Sequence, residues 1–179
     1  CFPLNPNSDL SGLKRYKESG VSFVSLNIGM DMDSFEKVIR VLACFRNHIA
    51  SHPDDYVLAL SVNDILDAKR SGKLAIAFDL EGSDPLAGDL NMVSFFYNLG
   101  VRQMLLAYNN DNRASGGCME GRIGLTHFGR EVIREMNRVG MMIDISHPAK
   151  TSNLQIMELS AAPVVASHSS ARALNNVSR

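Results

Sequence analysis

Two short apolar runs late in the chain close on the same dipeptide. Met141-Met142-Ile143-Asp144-Ile145-Ser146-His147 and Pro163-Val164-Val165-Ala166-Ser167-His168 both end in Ser-His, which sets an imidazole at the tip of each of two expected buried strands. A third run, Leu74-Ala75-Ile76-Ala77-Phe78-Asp79-Leu80-Glu81, ends in a carboxylate followed by Gly82, where the backbone can turn sharply. In parallel α/β architectures ligands and metals collect at the carboxyl ends of strands, so Glu81, His147 and His168 are expected on one rim. Imidazole nitrogen and carboxylate oxygen without thiolate is the donor set of a catalytic zinc or a related divalent ion; closed structural sites favour cysteine. His48 and His52 fall in a polar stretch after a helical pattern and are expected in solvent, and His127 stands at a helix start, where capping is the plainer role.

The elements that must position these groups alternate along the chain. Leu10 to Gly20 reads as a helix and Val21 to Ile28 as a strand. Phe35, Val38, Ile39, Leu42 and Phe45 then recur at helical spacing after a cap at Asp33 or Ser34. Tyr56 to Leu60 reads as a short strand, and Ser61 with Asp64 as the capping box of a helix that Gly72 ends. After the Glu81 strand come a helical stripe from Asp89 to Leu99, a strand from Val101 to Tyr108, a helix from Thr126 or His127 to Gly140, and a helix from Thr151 to Leu159 between the Ser-His runs. The segment 109–124 breaks the rhythm with asparagines and glycines, and a loop of that length at a strand's carboxyl end is expected to face substrate or to be mobile. Strand-helix alternation implies parallel neighbours and right-handed crossovers, in a doubly wound sheet or a barrel. A (β/α)₈ barrel takes about 250 residues. With five or six strand candidates in 179 residues, a barrel would be incomplete in this chain.

Composition narrows the function classes. A net charge of −1 with 45% hydrophobic residues describes a globular sequence without the basic surplus that phosphate contacts demand, so nucleic acid is not expected as a partner. No apolar run approaches the roughly 18 residues of a membrane span. Cys1, Cys44 and Cys118 are widely spaced, which suggests neither a disulfide framework nor a thiolate site and favours a reducing, cytoplasmic compartment. A chain that begins with Cys reads as a processed form or a fragment, and a lipid-anchored or exported form is left open.

From about Leu74 to Arg179 the sequence resembles the membrane (renal) dipeptidase family of zinc metallopeptidases, particularly its bacterial members. The blocks that carry the resemblance stand in family order: Gly124-Leu125-Thr126-His127-Phe128-Gly129-Arg130-Glu131-Val132, Glu135-Met136-Asn137-Arg138-Val139-Gly140-Met141, Asp144-Ile145-Ser146-His147 and Ser167-His168-Ser169-Ser170-Ala171-Arg172. The resemblance implies a (β/α)₈ barrel of the metal-dependent hydrolase kind, incomplete here, with residues 1–179 forming one domain that lacks the first and the carboxyl-terminal strands.

It further implies a dipeptidase in which water activated between two zinc ions cleaves the amide bond of a dipeptide or small amide. Glu81 would bridge the ions and act in catalysis, and His147 and His168 would be imidazole ligands of one of them. Arg179, eleven positions after His168, is similar in placement to the arginine that holds the substrate's free carboxylate, with Arg172 as a second candidate. Tyr108 and Asn109 would contact the substrate: Tyr108 stands where many members carry a substrate-contacting histidine, and Tyr108-Asn109 follows a pattern of bacterial relatives. Ser146 and Ser167 could fix imidazole tautomers or simply pack closely. The family's His-x-Asp pair has no counterpart, because residues 1–9 contain no histidine, and the chain stops before the family's late acid/base aspartate. A non-catalytic or metal-depleted relative that binds small molecules is the alternative, and a homodimer is left open.

Overall fold

The structure is a computed structural model that describes residues 2, 4–170 and 173–174. At its centre lies β3 (Leu74–Glu81), whose residues are buried at every position but the last. Such a strand, apolar on both faces, is stable only when layers cover both sides. It pairs in parallel with β1 (Phe23–Met30), with the short β2 (Tyr56–Leu58) at its start, and with β4 (Val101–Leu105) towards its end. β5 (Met142–Asp144) pairs in parallel with β4, giving the order β1-β3-β4-β5 in a five-stranded sheet. All strand carboxyl ends therefore point the same way.

The helices follow their caps. α2 (Phe35–Ser51) starts at Ser34, whose hydroxyl accepts from Lys37 N, and buries Val38, Val41, Leu42, Phe45 and Ile49. α3 (Val62–Arg70) carries the full capping box of Ser61 and Asp64, an arrangement worth about 1 kcal/mol. α4 (Asn91–Asn98) precedes β4, α5 (His127–Val139) is capped by the Thr126 hydroxyl, and α6 (Lys150–Leu159) follows β5. Phe45, Phe78 and Phe96 are the largest side chains sealed in the core.

Several boundaries differ from the pattern-based expectation. α1 (Leu13–Glu18) begins three residues late, because Asp9 accepts from Ser11 N and Ser11 Oγ and holds the preceding residues in a turn. α2 runs on past Asn47, since Ile49 continues its buried stripe, so His48 lies within a helix rather than in a solvated stretch. His48 Nε2 is buried without a partner among the described residues, and its ring packs 4.4 Å from that of His52. Thr126, not His127, caps α5. The second Ser-His run forms no full strand: its contact with the sheet is a single parallel bridge between Asp144 and Val165.

The strand ends are tied together by one carboxylate. Asp31, in the turn after β1, accepts from Asp84 N at 3.0 Å, from Tyr108 N at 2.7 Å and from Asn112 Nδ2 at 3.0 Å, joining the ends of β1, β3 and β4. Gly82, with φ +133°, leaves room for it: a Cβ there would lie 2.1 Å from Asp31 Oδ1. Burial pushes the Asp31 carboxyl up to about 6 from 3.8, against the pull of its backbone donors. A folded-state value above the unfolded one means that the group's contribution to stability is complete below the ordinary carboxylate value and is lost as pH rises through about 6. Between pH 4 and 7 the unfolding free energy of Asp31→Asn should therefore gain roughly 2–3 kcal/mol on that of the parent, measured by denaturant titration at each pH.

Candidate metal-binding site

The carboxyl ends of β1, β3, β4 and β5 surround a cavity of about 570 Å³ whose lining includes Asn27, Asp79, Glu81, Tyr108, Asp144, His147, Ser167 and His168. Glu81 ends β3, His147 follows β5 by three residues, and His168 follows the Val165 bridge by three. The two imidazole rings lie with centroids 4.8 Å apart. Among the described residues no group of three or more His, Cys, Asp or Glu side chains is gathered closely enough to hold a metal ion. The cavity thus brings the three expected residues to one wall, with the side chains apart.

Electrostatics at this wall are those of crowded, partly dried charges. Burial raises the Glu81 carboxyl, Asp79 raises it further, and His168 opposes the shift. Burial likewise raises Asp79, which sits inside β3 and accepts from Ser25 Oγ and from Asn27 Nδ2. His147 is lowered, first by burial and then by the neighbouring His168. Asn27 Oδ1 is buried with no partner among the described residues. A wall of carboxylate, amide and imidazole groups whose charges lack compensation fits a divalent cation by donor type.

The remaining expected residues fall at different depths. The Tyr108 ring packs 4.4 Å from that of His147 and lines the cavity. Asn109, in the left-handed region at φ 62°, turns its side chain to His147 Nδ1 at 2.9 Å. Ser167 Oγ lies 2.7 Å from His168 Nδ1, whereas Ser146 Oγ donates to Asp144 and sits 3.2 Å from Ser167 Oγ. Arg179 and Arg172 lie outside the described residues.

The segment 109–124 is tightly bonded. Asp111 Oδ1 accepts from Gly117 N and its Oδ2 from Arg122 N, and Cys118 N donates to His147 O. Gly117 passes so close to the Asn109 backbone that a Cβ would meet it at 2.3 Å. Sequence reading passed over Asp31, Asp79 and Asp144. The usable signal was an acidic residue inside or directly after an apolar strand run, which burial allows only where donors await it.

Comparison with known proteins places this geometry. The family model for membrane dipeptidases (peptidase family M19) matches residues 13–179. Dipeptidase tcpJ of Claviceps purpurea is 36% identical over 126 residues, which cover 69% of this chain and 30% of that protein. Dipeptidase 3 of Rattus norvegicus is 34% identical over 151 residues, covering 80% of this chain and 30% of the relative. The crystal structure of an amidohydrolase from Pseudomonas aeruginosa superposes with a TM-score of 0.88 at 27% identity, over 92% of this chain and 50% of that one. A metallopeptidase from Rhodobacter sphaeroides, liganded with a phosphinate mimic of L-Ala-D-Ala, shares the fold with a TM-score of 0.74 at 21% identity, over 90% of this chain and 56% of that one. The chain thus spans 30% of the length of these two curated relatives and about half that of the solved structures. Its parallel sheet is part of a (β/α)₈ barrel.

Burial biases Asp79 towards its neutral form, so an isosteric neutral amide should be tolerated there and an apolar truncation should not. Asp79→Asn is expected to change the unfolding free energy by less than about 1 kcal/mol. Asp79→Ala, which strands Ser25 and Asn27, should cost about 1–3 kcal/mol. Chemical denaturation of both variants checks the ordering.

Proposed function

The chain belongs to the membrane dipeptidase family, peptidase family M19, and from that premise we propose that the protein is a zinc-dependent dipeptidase whose metal ligands include Glu81, His147 and His168. The supporting observation is the shared cavity: residues from the ends of β3 and β5 and from just after the Val165 bridge line one wall, with two imidazole centroids 4.8 Å apart. A complete family member would hold two ions, with Glu81 among the residues holding them and as a catalytic group. This reading takes residues 1–179 as one domain and as part of a larger barrel.

When bound, a divalent cation polarises an amide carbonyl and makes water a competent nucleophile near neutral pH. The chain's own residues do the rest. Glu81 offers a charge that burial leaves uncompensated, and so favours a cation at the rim. His147 is biased towards the neutral, ligating form by burial and by His168. Tyr108 packs on His147 and walls the cavity where a dipeptide would lie. Arg179, outside the described residues, is proposed to grip the substrate carboxylate through its guanidinium fork, turning binding energy into orientation.

Elemental analysis of the purified full-length protein, with Glu81→Gln and His147→Ala beside it, tests this reading. The expected result is close to two zinc ions per chain, lost or reduced in the variants. The kcat/KM for a dipeptide should fall by roughly 10³-fold or more, since several kcal/mol of charge stabilisation are removed. A parent protein without metal would overturn the reading and favour a small-molecule-binding relative.

A further inference from the structure

The hydroxyl groups at the two Ser-His tips meet at one buried carboxylate, Asp144. Asp144 is fully buried, and all five of its partners are donors: Gln103 Nε2 at 2.8 Å, Ser146 N at 2.9 Å, Ser146 Oγ at 2.6 Å, Ser167 N at 3.3 Å and Ser167 Oγ. Each serine hydroxyl has one proton, and the charged carboxylate is the stronger acceptor for both than the neutral partner hydroxyl 3.2 Å away. Ser146 Oγ is then free to accept from His168 N at 3.1 Å. Ser167 Oγ, 2.7 Å from His168 Nδ1, has no proton left to give and must accept. A neutral His168 ring with its proton on Nδ1 would satisfy that hydroxyl.

The same reasoning holds at the other tip with a different acceptor. Asn109 Oδ1 lies 2.9 Å from His147 Nδ1 and 3.5 Å from Cys118 Sγ, so both neighbours are able to donate to one amide oxygen. The left-handed backbone at Asn109 and the close pass of Gly117 hold that oxygen in place behind the ring. Asn109 does not line the cavity.

We propose that Asp144 is a positioning residue which, acting through Ser167, fixes the His168 proton on Nδ1, and that Asn109 fixes that of His147 in the same way, so that both rings keep a lone pair on Nε2. The inference deepens the metal reading of this site and rests on it for its purpose, while the tautomers themselves do not depend on metal. It moves Asn109 from substrate contact to ligand orientation, and it separates the serines: Ser167 orients an imidazole, whereas Ser146 braces the His168 backbone. Orientation of this kind raises the affinity of a metal site, because each ring is held in the tautomer that ligates.

The test is long-range ¹⁵N–¹H NMR of the metal-free protein labelled in histidine, which distinguishes the two tautomers of each ring, together with zinc affinity by chelator competition. His147 and His168 are expected as Nδ1–H in the parent. Ser167→Ala should release His168 towards Nε2–H and leave His147 unchanged, and Ser167→Thr should restore it. Asp144→Asn frees the Ser167 proton for Nδ1 and should give the same change at His168. Asn109→Ala should act on His147 alone. Zinc affinity is expected to fall roughly 10–100-fold in Ser167→Ala and Asn109→Ala. Nε2–H rings in the parent, or tautomers that do not move in Ser167→Ala, would overturn the proposal. Nδ1–H rings in a parent that binds no zinc would support the tautomer assignment and overturn the metal reading instead.

Discussion

A strand with no face open to water governs this structure. β3 is buried from Leu74 to Leu80, so packed side chains must cover each face and partner strands must satisfy its backbone. That requirement explains the apolar stripe of α2 and the small residues of β3, Ala75 and Ala77, where neighbours approach closely. It also sets the chemistry. Asp79 and Glu81 are carried on the same strand into surroundings where charge is costly, and burial raises both carboxyls there.

The polar rim answers that cost with directed hydrogen bonds. Three carboxylates act as hubs: Asp31 for the ends of β1, β3 and β4, Asp111 for the long loop, and Asp144 for the two Ser-His tips. Most of their donors are backbone N–H groups or side chains anchored by a strand, so the hubs convert flexible loop ends into a fixed surface. The order of the segment 109–124 follows from this, and so does the placement of His147, whose carbonyl receives Cys118 N while its ring meets Asn109. At Gly82 and Gly117 backbone and side chains approach too closely for any Cβ.

Kinship with the membrane dipeptidases fits this division between a buried sheet and a bonded rim. In a parallel barrel the sheet supplies rigidity and the carboxyl ends of the strands supply reactive groups, so change at the rim leaves the core intact. The residues gathered here lie along β1, β3, β4 and β5, in a chain that spans about half of the solved amidohydrolase structure. What this portion contributes is the imidazole-bearing wall and the polar supports behind it.

Much of this was legible from residue order. The Leu74–Glu81 strand, the Ser61–Asp64 capping box and the ends of α5 at Thr126 and Gly140 follow from local rules, because apolar periodicity and caps act over a few residues. The convergence of Glu81, His147 and His168 on one wall was legible as well, since parallel strands present their ends to one side. Sequence could not tell which polar group meets which. Asp31 reaching Tyr108, Asn109 turning behind His147, and Asp144 serving both serines join residues far apart in the chain, and hydrogen-bond pairing of that kind is decided by distance and angle in the folded state. Residue order determined which groups stand at the rim; only the tertiary structure decided which hydrogen-bond partner each of them meets.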